Sequence, residues 1–224
     1  MTIGRPTLAR QAYAEIQSKI LSGELSAGQR LLPDELAQKL AVSQTPIKEA
    51  LALLERDGLV TGTDRRASLV RRFTVADIGE IYEARILLET NALSVGFHAG
   101  KIDAGFVRKA SDLVQAQLRL MPARSQAVLV KAIALDREFH ELIMKLGGNE
   151  VLTGWHQSIQ LRIQTVRTYS VETYVFERVR LEHQRIIDAL AGGRVEEMVA
   201  ALRDHLASSR DDLIARRPDE LPVR

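Results

Sequence analysis

Three histidines and an aspartate interrupt apolar helical stripes in the C-terminal two-thirds of the chain, and together they make a set of metal ligands. Asp136 and His140 lie one turn apart on the stripe Leu129, Ala132, Ile133, Asp136, His140, Ile143, so a carboxylate and an imidazole share one inward face. His183 breaks the stripe Phe176, Val179, Ile186, Ile187, Leu190, and His205 breaks Met198, Leu202, Ser209. A lone inward histidine is more often a core residue bonded to a neighbour. Three of them with an aspartate would leave several hydrogen bonds unmet, whereas one divalent cation engages all four groups. This donor set suits zinc, nickel, manganese or iron, with zinc favoured, and an ion taking five or six ligands keeps positions open for water or a ligand oxygen.

Two arginines on inward stripes indicate what fills those positions. Arg85 lies among Ile78, Ile81, Tyr82, Leu88 and Ala92, and Arg162 among Trp155, Ile159, Val166 and Tyr169. A buried guanidinium needs an anion, and a carboxylate effector could meet the metal through one oxygen and Arg85 through a forked pair of hydrogen bonds. The alternative is that Arg85 pairs with Glu89 one turn on, and that Arg162 faces another helix or a subunit. His156 and His98 are read as structural.

The elements that must position these groups are helices. Thr74 caps a helix to about His98, Asp103 starts one ending near Pro122, and Ser125 to Leu146 forms a third. Asn149 to Ser170, Val171 to Leu190 and Val195 to Arg216 complete six, and their short links predict an antiparallel bundle.

Ahead of the bundle, Leu31 to Val60 reads as two short helices joined by a tight turn. Pro33 opens the first, with Leu36, Ala37 and Leu40 at helical spacing. Ala41 to Gln44 make the turn. Thr45 is the expected N-cap of the second helix, Pro46 its first residue, and Ile47, Ala50, Leu51 and Leu54 its apolar face before Asp57-Gly58. In a helix-turn-helix the start of the second helix enters the major groove of double-stranded DNA, which puts Ser43, Gln44, Thr45 and Lys48 there. Gln bonds adenine in two places and Lys reaches guanine or phosphate. An amphipathic helix over Leu8 to Leu21, with Leu8, Tyr13, Ile16 and Ile20 inward, packs behind the pair. Leu59 to Thr61 and Ser68 to Val70 can pair as a wing carrying Arg65 and Arg66 at its tip. Helix-turn-helix shapes also occur in proteins that bind no DNA.

The 224 residues thus divide into a winged helix-turn-helix over 1–73, an all-helical effector and dimerisation domain over 74–217, and a tail over 218–224. The head has 11 Lys+Arg against 8 Asp+Glu and the remainder 20 against 21, which leaves +3 on the head and −1 on the body. With no cysteine, disulfides and thiolate metal sites are excluded. Neither a signal peptide nor a run near the roughly 20 apolar residues of a membrane span is present, so a cytoplasmic protein without membrane attachment is expected.

These motifs resemble the GntR family of bacterial transcription regulators, in its FadR branch with a C-terminal FCD domain. The resemblance rests on GELSAGQRLL followed by ELAQKLAVSQTPIKEALALLERDGLV, and on the Asp136, His140, His183, His205 series, which is similar to the metal-binding signature of many FCD domains. Six C-terminal helices look more like the VanR-type subgroup. The resemblance implies a mostly α homodimer that binds a pseudo-palindromic operator, usually as a repressor. A small organic acid at the metal, met by Arg85, would change the spacing of the heads. The chain departs from the pattern at Gln44 and Lys48, where the family usually has Arg, and at Ala67, where the wing usually has Gly. A regulator that senses the metal itself uses the same residues. A metal-dependent enzyme is the remaining rival, but it lacks a general base near the ligands and any Glu-x-x-His pair, so no enzymatic activity is expected.

Overall fold

Reading from the N-terminus, the first helix, α1 (Leu8–Leu21), is capped by Thr7, whose side chain accepts from Arg10 N–H. Its buried face runs through Ala9, Ala12, Ile16 and Ile20, while Leu8 points outward and Tyr13 turns its hydroxyl to Asp57 at 2.5 Å. Ile16 and Ile20 are inward as expected, while Ala9 and Ala12 take the places expected of Leu8 and Tyr13. The computed structural model describes residues 6–64, 67–123, 125–168 and 176–215. Two units divide the chain, Met1–Arg72 and Phe73–Arg224.

In the first unit, α2 (Pro33–Lys39) and α3 (Gln44–Arg56) form the expected pair, and Ile47, Ala50, Leu51 and Leu54 are buried as the stripe requires. The second helix begins earlier than expected. Ser43 is its N-cap by backbone conformation, without a side-chain bond, and Thr45 lies inside the first turn. The early start follows from a tight turn: Ala41 adopts a left-handed φ of 53° and Val42 N–H returns to Ala37 C=O at 3.0 Å. Pro46 still costs no hydrogen bond there, because the first four N–H groups of a helix have no internal partner.

The wing is longer than its sequence pattern implies. Strands β2 (Val60–Asp64) and β3 (Ala67–Val70) pair antiparallel, Val60 opposite Val70 and Gly62 opposite Ser68. Ala67 is therefore a buried strand residue rather than part of the tip. A third strand, β1 (Arg30–Leu31), pairs with the other edge of β3, giving the order β1-β3-β2; two residues are too few to show alternation. Glu55 on α3 accepts from Gly62 N–H at 2.9 Å, and a Cβ at Gly62 would come within 2.7 Å of that carboxylate oxygen. The wing is thus tied to the reading helix through a side-chain-to-backbone hydrogen bond, and a side chain at Gly62 would have to displace the Glu55 carboxylate.

In the second unit, α4 (Val75–His98) starts with a capping box in which Thr74 and Asp77 exchange hydrogen bonds. It is followed by α5 (Ala104–Arg119), capped by Asp103, and α6 (Gln126–Leu146), capped by Ser125. Then come α7 (Glu150–Thr168), α8 (Phe176–Gly192) and α9 (Val195–Ala215). The expected extensions to Ser170, across Val171 to Val175, to Arg216 and into the tail lie outside the described residues. Gly96 lets α4 approach α6, since a Cβ there would stand 2.5 Å from that of Leu146. The core they enclose includes Ile78, Leu93, Phe139, Ile143, Ile186 and Leu202. No helix among the described residues is long and apolar enough to cross a membrane.

Candidate metal centre

Inside this bundle, Asp136 and His140 from α6, His183 from α8 and His205 from α9 converge. One ligand atom from each lies within 4.8 Å of all the others, and the four side chains are buried. The three imidazole centroids are 4.6 to 6.2 Å apart. His140 Nδ1 donates to Glu89 Oε2 at 2.6 Å, and His205 Nδ1 donates to Glu182 Oε2 at 2.9 Å. A carboxylate only accepts, so each ring carries its proton on Nδ1 and presents a lone pair at Nε2. Both Nε2 atoms, and both ring nitrogens of His183, are buried without a hydrogen-bond partner among the described residues. His183 Nε2 lies 3.4 Å from Asp136 Oδ1.

Unpaired ring nitrogens buried together beside a carboxylate are the donors that a divalent cation takes. The residues fit a divalent cation in donor type, in the carboxylate behind each of two histidines, and in ring nitrogens that have no other partner among the described residues. The electrostatics agree. Burial, joined by neighbouring cations, pulls His140 and His205 down to about 4 and His183 to about 3, so all three are neutral and able to ligate at neutral pH. Asp136 is held well below the usual carboxylate range: burial opposes ionisation, but the guanidinium of Arg167, joined by that of Arg85, outweighs it.

The sign of the pH dependence follows. The unfolded chain takes protons at these histidines below about 6.5, while the folded chain refuses them until near 4. Stability is fully present above 6.5 and falls as pH drops toward 4, by up to about 1.4 kcal/mol per pH unit for each histidine. Chelator-treated protein is expected to melt progressively lower across that window, as followed by circular dichroism; a melting temperature flat from pH 7 to 4.5 would mean the imidazoles are not buried neutral.

Glu89 is a hub that sequence reasoning had placed only as a neighbour of Arg85. It accepts from Arg85 Nε at 2.7 Å, from His140 Nδ1, and from His156 Nε2 at 2.8 Å. Arg85 is wholly buried, and its Nη1 and Nη2 have no hydrogen-bond partner among the described residues. The pairing with Glu89 is thus the expectation that the structure shows for Arg85: it uses one edge of the guanidinium and leaves the terminal nitrogens without a partner among the described residues.

Helix α7 departs from expectation. Trp155 is 61% exposed and Arg162 half-buried beside Ser158, while His156, Gln160, Ile163, Gln164 and Arg167 face inward. Arg167 pairs with Asp136 and is the inward arginine of this helix; Gln117 on α5 donates to the other Asp136 oxygen at 3.2 Å. The polar stripe His156, Gln160, Ile163, Arg167 was the signal, spaced by four, three and four residues. A search for apolar residues passes over it. His98 is exposed, and its Nδ1 donates to the Ser94 carbonyl at 2.8 Å.

In the N-terminal unit, Ser43, Gln44, Thr45 and Lys48 are all exposed at the start of α3. Arg65 and Arg66 lie outside the described residues.

Family models match both units: bacterial regulatory proteins, gntR family, over residues 8–70, and the FCD domain over residues 80–208. The chain belongs to the GntR family of bacterial regulators, with a C-terminal FCD domain. Among relatives, an uncharacterized HTH-type transcriptional regulator in an unstable DNA locus of Streptomyces ambofaciens is 28% identical over 213 residues, 95% of this chain and 87% of that protein. A probable D-xylose utilization operon transcriptional repressor of Paenarthrobacter nicotinovorans is 25% identical over 205 residues, 91% of this chain and 88% of that one. The crystal structure of a putative transcriptional regulator GntR from Rhodococcus sp. RHA1 superposes with a TM-score of 0.77 at 22% identity, covering 92% of this chain and 97% of that one; it shows the shared fold. The GntR protein described here is accordingly a transcriptional regulator with a DNA-binding head, and its matched families and relatives are regulators rather than enzymes.

Proposed function

We propose that this GntR protein is a ligand-responsive repressor of the FadR branch, VanR-like in its six C-terminal helices, that acts in the cytoplasm. Two copies bind a pseudo-palindromic operator, and a small carboxylate metabolite bound at the centre in each FCD domain releases it. The observation that carries this reading is the orphaned set of ring nitrogens on His140, His183 and His205 beside Asp136, with the free fork of Arg85 in the same buried network. A divalent cation there, zinc by preference, would supply a Lewis-acidic anchor for a ligand oxygen. The chain's own groups do the rest: Glu89 and Glu182 hold His140 and His205 in the ligating tautomer, and Arg85 offers two parallel N–H donors to a carboxylate. The test is selection of genomic fragments on the purified protein at stated salt, followed by titration of the recovered site with metal and organic acids. A palindrome whose affinity drops when an acid is added supports the reading; operator affinity that responds to metal alone supports a metal sensor instead.

The reading head makes a further prediction. Lys48 is exposed on the first turns of α3 beside Gln44. Lys48→Ala is expected to weaken operator binding by about 1 to 3 kcal/mol with relaxed specificity at one base pair if Lys48 reads a base, or to lower the salt slope by about one if it holds a phosphate. Unaltered affinity and slope in a fluorescence anisotropy titration would remove it from the interface.

Dimerisation has a candidate face. Leu87 and Val95 on α4 and Val151 and Trp155 on α7 are the exposed large apolar residues of these helices, and a groove lined by Asn91, Ala92, Val95 and Leu152 joins the two. Trp155→Glu is expected to weaken self-association by about 2 kcal/mol or more, read by sedimentation equilibrium, and to weaken operator binding with it. A variant that stays dimeric at the same concentration would place the interface elsewhere. Trp155 is also the chain's single tryptophan, so its emission reports burial directly.

A further inference from the structure

The buried charges of the FCD domain cancel before any ligand arrives. Among the described residues, the charged side chains less than 9% exposed in this unit are Arg85 and Arg167 on one side and Glu89 and Asp136 on the other. They are matched in pairs: Arg85 Nε donates to Glu89 at 2.7 Å, and Arg167 donates to Asp136. Glu182, less deeply placed behind His205, shares Arg178 at 3.0 Å with Asp212 at 2.8 Å, and all three side chains reach solvent in part. Imidazoles that ligate a metal are neutral and add nothing.

This balance has a consequence for the reading proposed above, on which the inference rests. A carboxylate ligand ordinarily offsets part of its metal's charge, but here Arg167 has already offset Asp136. A divalent ion would therefore bring two uncompensated positive charges into the interior, where an unmatched charge costs far more than a paired one. A monocarboxylate would leave one charge unmatched. The terminal fork of Arg85, buried and without a hydrogen-bond partner among the described residues, has the geometry for one carboxylate, and the Tyr82 hydroxyl, likewise unpartnered among them, lies on the same helix, with the Arg85 guanidinium 5.5 Å from the Tyr82 ring centroid.

We infer that the effector recognised by this centre is a dianion, a short dicarboxylate, with Arg85 taking one carboxylate and Arg167 setting the requirement for the second negative charge by neutralising Asp136. Arg167 is thus a specificity-determining residue that need not touch the effector. It acts through the charge it leaves on the metal.

The test uses the full-length, metal-loaded protein and matched ligands that differ in charge but hardly in size. Malonate, succinate and glutarate are titrated calorimetrically beside their monoamides, and metal content is measured on the same samples by mass spectrometry. The expected result is that at least one diacid binds about tenfold or more tightly than its monoamide. Arg167→Gln, which can still donate to Asp136, is expected to bring that ratio near one and to tighten metal binding in a chelator competition. Arg167→Lys is expected to keep the preference. Equal binding of diacid and monoamide, or no binding of any diacid, with metal retained overturns the inference and leaves the metal reading standing. Wild-type protein that takes up no metal overturns both. Loss of metal from Arg167→Gln would make Arg167 a positioning residue for Asp136 and overturn its charge role.

Discussion

Replacing His183 with leucine is expected to abolish metal uptake while leaving the metal-free protein as stable as before. The asymmetry follows from what His183 touches. Both its ring nitrogens are buried without a hydrogen-bond partner among the described residues, so the imidazole carries a desolvation cost that the protein's own groups do not offset. Leucine fills a similar volume beside Phe139, whose ring lies 5.2 Å from that of His183, and brings no unmet polar atom. In the wild type, an ion present at about 100 times its dissociation constant adds roughly 2.7 kcal/mol to the folded state. For a chain of this size that raises the melting temperature by roughly 5 to 10 °C. His183→Leu should show none of that rise on adding zinc, and its chelated sample should melt at or above the chelated wild type. Full metal stoichiometry in the variant would sink the ligand set.

The second large effect is expected at Arg85. Arg85→Lys keeps a positive charge beside Glu89 but removes the forked pair of donors that a carboxylate matches, and lysine cannot reproduce that fork. The substitution is chosen over alanine because Glu89 is wholly buried and would otherwise lose its charge partner. Metal content and operator affinity are expected to persist, while the acid-induced loss of operator affinity disappears. The effect is large because the whole coupling rests on differential binding: about 1 to 3 kcal/mol, or roughly 5- to 150-fold in affinity, should collapse to no change. An anisotropy titration of operator DNA with and without the acid decides it. A response of wild-type size in Arg85→Lys would return Arg85 to its pairing with Glu89 alone.

How far the sequence reveals this architecture depends on what each position has to do. Asp136, His140, His183 and His205 are legible because each interrupts a stripe of mainly apolar residues, and the helices carrying them are bounded by Ser125 and by glycine signals whose physics is local. Helix α7 was not legible in the same way. Its inward face is polar because it closes over a polar centre, so counting apolar residues selected Trp155 and Arg162, one face round from His156, Gln160 and Arg167. The cap of α3 is Ser43 rather than the expected Thr45, because the turn before it depends on Ala41 at positive φ, a conformation that composition gives no reason to expect of alanine. Strand β1 escaped notice because two residues carry no alternation, and its existence depends on the edge of β3 that it meets. Glu89 was visible only as a partner for Arg85, since the histidines it also serves are 51 and 67 residues away.

That arrangement at Glu89 bears on how such a protein can change over evolutionary time. One carboxylate serves an arginine on its own helix, His140 of the proposed ligand set on α6 and His156 on α7, so a replacement at any of the four positions that gives up both the charge and the hydrogen bond strands its partners. Drift through these sites one step at a time passes through a chain with a stranded charge or an unpaired ring. Arg85, Glu89, His140 and His156 should therefore be inherited or discarded as a block. A descendant that gave up the metal would be expected to trade all four for aliphatic residues, and its new effector would be read by a different chemistry on the same scaffold.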